Sequence, residues 1–362
     1  MGGRIVLNQH MRTDAVVGPA PTSVTEFHRT LPGYRATPLR ELPDVAAALG
    51  LGGLAIKDES DRLGLPAFKV LGASWAVDQA LVRWPRASAI VAASAGNHGR
   101  AVAHVAADRG RPCRIHLPYG ANGERVRAIA AEGADIVLAT GGYEVAVAAA
   151  EADAARSGAV LIADTASAAD ALSASWVIDG YATLFREIAL QTVCPVDVLL
   201  VPIGVGALAA AGVRWAQHES PHTAIVGVEP ITAGCVTASL RAGRIVTVPT
   251  PGTAMSGLDC PTPSAVAWPT LRDGLTGTVT VDDDEAREAM RELATAGMAI
   301  GDCGASTLAG LRRLATDPSD AGLRRAVRLR DRYVVCLGTE GITDPIAYRA
   351  AIGSAPGAAS SR

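Results

Sequence analysis

An amine side chain can attack a carbonyl and afterwards carry a proton, and this chain of 362 residues has only two lysines, Lys57 and Lys69. Lys69 stands among Pro66, Ala67, Phe68, Val70 and Leu71, neighbours that would solvate an ammonium poorly. Desolvation disfavours the charged form and lowers the pKa of an amine, which a nucleophile for a carbonyl requires. Lys69 is therefore the candidate, against the plainer reading of a surface lysine whose stem covers apolar neighbours. Lys57, in LAIKDES, is flanked by Asp58 and Glu59; acidic neighbours keep a lysine charged, so a structural role is expected for it.

Two further motifs have the composition of anion sites. Ser94, Ala95, Gly96, Asn97 and His98 follow the apolar run AIVAA and precede an alanine-rich helical stretch. A helix N-terminus offers N–H groups without intrahelical partners, and small residues let an anion reach them. A substrate carboxylate would suit this turn, and the Asn97 amide could donate to a phenolic oxygen. The competing reading is an ordinary capping turn, since Ser and Asn favour such positions; His98 reads as a structural histidine near a helix start. Gly204, Val205, Gly206, Ala207 and Leu208 follow the run VDVLLVPI and open another helical stretch. A strand, a glycine turn and a helix make a phosphate cradle from backbone amides. Ala209 stands where a dinucleotide fingerprint would need its third glycine, and no acidic ribose partner follows at the usual distance, so a short phosphate monoester fits better than a dinucleotide.

The elements that must position these residues alternate. Buried strands are expected at 89–93, 113–117, 135–139, 160–163, 196–202 and 224–229. Helices are expected at 97–109, 123–132, 143–156, 175–188 and 207–219. Alternation at this pitch implies an α/β fold of two lobes, with parallel-rich open sheets flanked by helices. Ligands then bind beyond the carboxyl ends of the strands, where all three motifs fall. The first ~35 residues lack periodicity and are expected to form an arm and loop. After about Tyr348 the small-residue tail is expected to fray.

Composition narrows the function. A formal charge of −3 and the absence of a basic run give no reason to expect nucleic acid or an anionic membrane as a partner. No apolar stretch is long enough to span a bilayer. The six cysteines are scattered with no C-x-x-C pair, which argues against a structural metal and fits a reducing, cytoplasmic compartment.

A lysine after Ala-Phe, then Ser-x-Gly-Asn-His, then a glycine turn, together resemble the fold-type II pyridoxal-phosphate enzymes, the tryptophan synthase β family. The resemblance runs from Pro38 and Leu39 to Pro345. The finer likeness is to the diaminopropionate ammonia-lyases, through KDESDRLGLPAFKVLGAS, GNHGRAVA, IADTA, GTAMSGLDCPTPSAVAWPTLRDG, GDCGAS and TEGITDP. It implies a large cofactor-binding domain, 1–73 with 188–362, a smaller mobile domain, 74–187, and a homodimer. It also implies that Lys69 binds pyridoxal 5′-phosphate covalently and then shuttles protons, that Asn97 contacts the ring oxygen, that the 204–208 amides hold the phosphate, and that Thr339 or a near neighbour faces the pyridine nitrogen. A hydroxyl there, rather than a carboxylate, favours expulsion of a β-leaving group over deeper carbanion chemistry. Asp164 matches an active-site aspartate of the ammonia-lyases; its alternative is a strand-end residue capping the next turn.

Two departures stand out. The ammonia-lyases carry an aspartate immediately before Gly-Asn-His, credited with taking the α-proton of the D-substrate; here the position is Ala95, and SAGNH is what threonine and serine dehydratases show. GDCGAS stands where relatives have Glu-Ser-Gly-Ala, so Asp302 and Cys303 alter the cofactor's surroundings. The expected reaction is β-elimination from a small amino acid, with an L-serine/threonine dehydratase or a β-replacement synthase as alternatives. A cofactor-binding sensor without catalysis is disfavoured by the presence of Lys69.

Overall fold

The structure, a computed structural model, describes residues 3–12, 14, 17–165, 171–318 and 321–353. Eleven strands form two sheets. They are β1 (Ile5–Leu7), β2 (Leu39–Glu41), β3 (Gly53–Asp58), β4 (Ile90–Ala93), β5 (Cys113–Leu117), β6 (Asp135–Leu138), β7 (Val160–Leu161), β8 (Val198–Pro202), β9 (Ala224–Pro230), β10 (Gly277–Val281) and β11 (Tyr333–Gly338). The larger sheet has the order β1-β10-β9-β8-β11-β3-β2 and the smaller β6-β5-β4-β7. The smaller sheet is wholly parallel. In the larger, only the edge strands β1 and β2 run antiparallel to their neighbours.

The strand sequences explain this layering. VLLVP in β8 and GTVTV in β10 are buried at every position, as strands covered by helices on both faces must be. Alternate side chains then feed two cores. Val198 and Leu200 join Val226, Val228 and the helix Asp302–Thr316 on one face. Leu199 and Val201 join Ile225 and the helix Ala207–Glu219 on the other. That second core continues into the smaller sheet through Ile90, Ala92, Ile115 and Leu117.

Four expectations need correction. The N-terminal stretch contains β1, too short to show a period, and the helix Ser23–Thr30. That helix buries His28 between Thr183 and the Leu71 carbonyl, at 2.7 and 3.0 Å. β6 is an exposed edge rather than a buried strand, with Leu138 at 65% exposure. The single helix expected at 175–188 is two helices, Ala171–Gly180 and Ala182–Gln191, breaking at Tyr181. The break follows a close crossing: a Cβ on Gly180 would lie 2.5 Å from the Leu71 carbonyl oxygen, and one on Gly72 would lie 2.6 Å from the Tyr181 ring. Finally, the helix Pro345–Ile352 carries order past Tyr348; the rest of the expected tail, 354–362, lies outside the described residues. No helix among the described residues is long and apolar enough to cross a membrane.

Candidate active site

The carboxyl ends of β4, β7, β8 and β11 open onto one cavity of about 990 Å³. It brings together every residue the sequence nominates: Lys69, residues 94–98, Asp164, residues 204–208 and Thr339 all line it.

Lys69 is the first residue of the helix Lys69–Arg83. The loop before it is pinned to the end of β11, since Phe68 N–H donates to the Thr339 carbonyl at 3.2 Å and Ala67 bridges Glu340. Its Nζ lies 2.8 Å from Asp164 Oδ2. Burial pulls the Lys69 amine down as expected, but the Asp164 charge, reinforced by its hydrogen bond, outweighs it and holds the amine above its ordinary value. The expectation of an amine freed by desolvation is therefore corrected: its carboxylate partner comes from the segment just after β7, far along the chain. For Asp164, burial works against the charge, while His98 and Lys69 hold the carboxyl well below the usual carboxylate range. Lys69 and Asp164 thus form an ion pair inside the cavity.

His98, second in the helix Asn97–Asp108, is buried and anchors that helix to the end of β7. Its Nε2 donates to the Ile162 carbonyl at 3.0 Å, leaving Nδ1 3.9 Å from Asp164 Oδ2. Burial lowers its pKa, with the Asp164 charge opposing. Gly99, third in the same helix, is required by close approach, because a Cβ there would lie 2.2 Å from the Ser94 carbonyl oxygen. At Gly96 a Cβ would meet no atom nearer than Ser94 Oγ at 3.9 Å, so that glycine keeps space open on the cavity side.

Lys57 lies outside the cavity lining. Its fully buried Nζ donates to Glu187, Gln191 and the Thr37 carbonyl at 2.7–2.8 Å. Arg62 joins the cluster, paired with Glu59 and Glu187. Burial draws the Lys57 amine below its ordinary value, with Glu59 and Glu187 opposing. The role is structural, but the partner in contact is Glu187 rather than the adjoining Asp58, which pairs with Arg40.

The 204–208 turn has the shape of a cradle. Gly206 caps the helix Ala207–Glu219 with a left-handed backbone, φ 97°, and a Cβ there would lie 2.4 Å from Leu271 Cδ1. The first N–H groups of that helix have no intrahelical acceptors and border the cavity. An amine, an asparagine amide, a phosphate-sized amide cradle and a buried hydroxyl at Thr339 share one cavity. This donor set fits pyridoxal phosphate.

Sequence reasoning passed over several lining residues. Glu340 was part of TEGITDP but was not singled out; its Oε2 accepts from Asn97 Nδ2 at 2.5 Å. Burial and then Asp302 push its carboxyl up to about 7. Arg125, from the smaller-sheet region, donates to Ser256 Oγ at 2.5 Å across the cavity. Cys260 lines the same wall, its thiol pushed up to about 12 by burial. Contacts of this kind, between distant segments, leave no local pattern to read.

A parallel-sheet α/β fold whose strand ends surround a lysine and a glycine cradle defines a class, and comparison gives its name: residues 30–327 match the family model for pyridoxal-phosphate dependent enzymes, and the chain belongs to that family. Its cofactor is pyridoxal phosphate. Among curated proteins it is 32% identical to the diaminopropionate ammonia-lyase of Escherichia coli K12, over 90% of this chain and 89% of that one. It is also 32% identical to the L-threonine ammonia-lyase of Geobacter sulfurreducens, over 62% and 57%. A solved E. coli diaminopropionate ammonia-lyase, in complex with an aminoacrylate–PLP azomethine reaction intermediate, superposes with TM-score 0.88 at 31% identity, covering 96% of both chains.

Proposed function

We propose that this chain is a lyase that removes the β-amino group of 2,3-diaminopropionate, releasing an aminoacrylate that hydrolyses to pyruvate. The observation that carries the reading is the Lys69–Asp164 ion pair, 2.8 Å, inside the cavity that also holds the glycine cradle. Bound pyridoxal phosphate supplies an electron sink for the α-carbon. Lys69 attaches the cofactor and is the base for the α-proton, the 204–208 amides hold the phosphate, Asn97 donates to the ring oxygen, and Thr339 meets the pyridine nitrogen. Residues 94–98, at the start of the helix Asn97–Asp108, receive the α-carboxylate. Asp164 protonates the leaving amine or holds it as ammonium.

Ala95 restricts the stereochemistry. An alanine cannot take a proton, so Lys69 alone serves as α-base and the L-isomer is the substrate. The same SAGNH turn supports the second reading, an L-serine/threonine dehydratase. A β-replacement synthase would need a second nucleophile to outcompete water. The region 74–187, which carries the smaller sheet, is proposed as the mobile domain. A homodimer in the cytoplasm completes the reading, and the six free cysteines support a reducing compartment.

Stoichiometry tests it. Elimination from diaminopropionate takes up one water and yields one pyruvate and two ammonia, whereas serine yields one ammonia per pyruvate. Purified holoenzyme should release ammonia and pyruvate from L-diaminopropionate in a two-to-one ratio, and Lys69→Ala should release neither. Turnover of serine or threonine alone would assign the chain to the dehydratases; consumption of substrate without a keto acid would point to a synthase.

A further inference from the structure

The cluster at the end of β11 is not used by the reaction outlined above. Glu340 is buried, and its carboxylate lies beside Asp302 and Cys303, with one side-chain oxygen or sulfur of each within 4.8 Å of the others. Asp302 opens the helix Asp302–Thr316 and accepts from the Cys303 N–H at 2.7 Å. Glu340 Oε2 accepts from Nδ2 of Asn97, which opens a helix of the smaller-sheet region.

An asparagine amide can present either a carbonyl oxygen or an N–H at a given point, because its two ends have nearly the same shape. An ionised carboxylate only accepts. Held against Glu340, the Asn97 amide is forced to turn its nitrogen toward that wall. One N–H of that nitrogen goes to Glu340 and the second remains for a ligand; a flipped amide would put a carbonyl oxygen there instead. We propose that Glu340 is a positioning residue that acts through Asn97, fixing the amide so that the cofactor's ring oxygen meets an N–H donor. This rests on the assignment of Asn97 to that oxygen.

The charge state of the cluster matters, since a protonated Glu340 is a weaker acceptor. The groups facing its carboxyl are Asp302 and Cys303 on the helix that packs behind it and Arg125 on the opposite wall. Burial and the Asp302 charge raise the Glu340 pKa to about 7, while Cys303, Asn97 and Arg125 act in the other direction. Asn97 is therefore held most firmly above neutral pH, and its hold weakens as pH falls through about 7.

The test is a double-mutant cycle on the holoenzyme, read as the cofactor dissociation constant and as the visible absorption band across pH. Asn97→Ala and Glu340→Gln should each weaken cofactor binding, Asn97→Ala by about tenfold for the loss of one hydrogen bond. The double variant should lose no more than Asn97→Ala alone, because Glu340 works only through Asn97. The wild-type band should titrate with a midpoint near 7. Asp302→Asn, which leaves both partners in place, should move that midpoint down by removing a like charge, and Glu340→Gln should abolish it. Losses that simply add in the double variant would overturn the proposal, as would a band that titrates unchanged in Glu340→Gln and Asp302→Asn. If Asn97→Ala itself leaves affinity and band unaltered, the assignment of Asn97 fails and the inference fails with it. A loss in Asn97→Ala with none in Glu340→Gln would overturn the role of Glu340 alone.

Discussion

Replacing Asp164 by Asn should push two rates in opposite directions. The Asp164 carboxylate sits 2.8 Å from Lys69 Nζ and holds the amine above its ordinary pKa. Asn retains an oxygen that can accept from Lys69 but removes the charge. Burial, which lowers an ammonium's pKa, then acts with less opposition. Loss of an opposite charge at this range raises the uncharged fraction of an amine by about ten- to a thousandfold at a given pH below its pKa. Cofactor attachment, which needs the uncharged amine, should accelerate by a factor in that range. Turnover should fall by about 10²–10⁴-fold, because no carboxylate remains to hold the leaving amine as ammonium. Stopped-flow absorbance on mixing cofactor-free protein with pyridoxal phosphate reads the first effect, and pyruvate release reads the second; Lys69→Ala is the control. Attachment no faster than wild type would refute the claim that Asp164 sets the state of Lys69. Unchanged turnover would refute its role toward the leaving group.

Other changes have equally definite expectations. Glu187→Gln leaves Lys57 and Arg62 buried with only Glu59 to balance them, and should cost about 3–5 kcal/mol in denaturant unfolding. Burial raises the Glu187 pKa, but Arg62 and Lys57 hold it below the usual range. The advantage of wild type over this variant should therefore be complete above the unfolded carboxylate pKa and vanish as pH falls through the lower folded value. Gly206→Ala should abolish phosphate-dependent cofactor retention in equilibrium dialysis, because the added Cβ meets both a left-handed backbone and Leu271 Cδ1 at 2.4 Å. D-Diaminopropionate should be a poor substrate in the pyruvate assay, and Ala95→Asp should raise its rate while leaving cofactor attachment intact; equal wild-type rates on both isomers would contradict the reading of Ala95.

The stretch 196–219 was legible because both signals were local: an unbroken apolar run for a strand covered on both faces, then glycines where a helix begins. The turns at 94–98 and 204–208 were readable for the same reason, each leading from a strand into a helix. The break at Tyr181 was not readable, since it is set by the approach of Gly180 to Leu71 and Gly72 on another helix. The state of Lys69 was misjudged from its neighbours because Asp164, 95 residues away, decides it. Lys57 lies outside the cavity lining, and its partner Glu187 lies 130 residues along the chain. Glu340 stood in a quoted motif, but its contact with Asn97 and its proximity to Asp302 exist only in the fold.

Only two lysines, Lys57 and Lys69, could carry the cofactor. Borohydride reduction of the holoenzyme would fix the cofactor to its amine, and peptide mass spectrometry would locate it. The cofactor's mass is expected on the peptide containing Lys69, with Lys57, enclosed by Glu187, Gln191 and Thr37, unmodified. Label on Lys57, or on neither lysine, would contradict it.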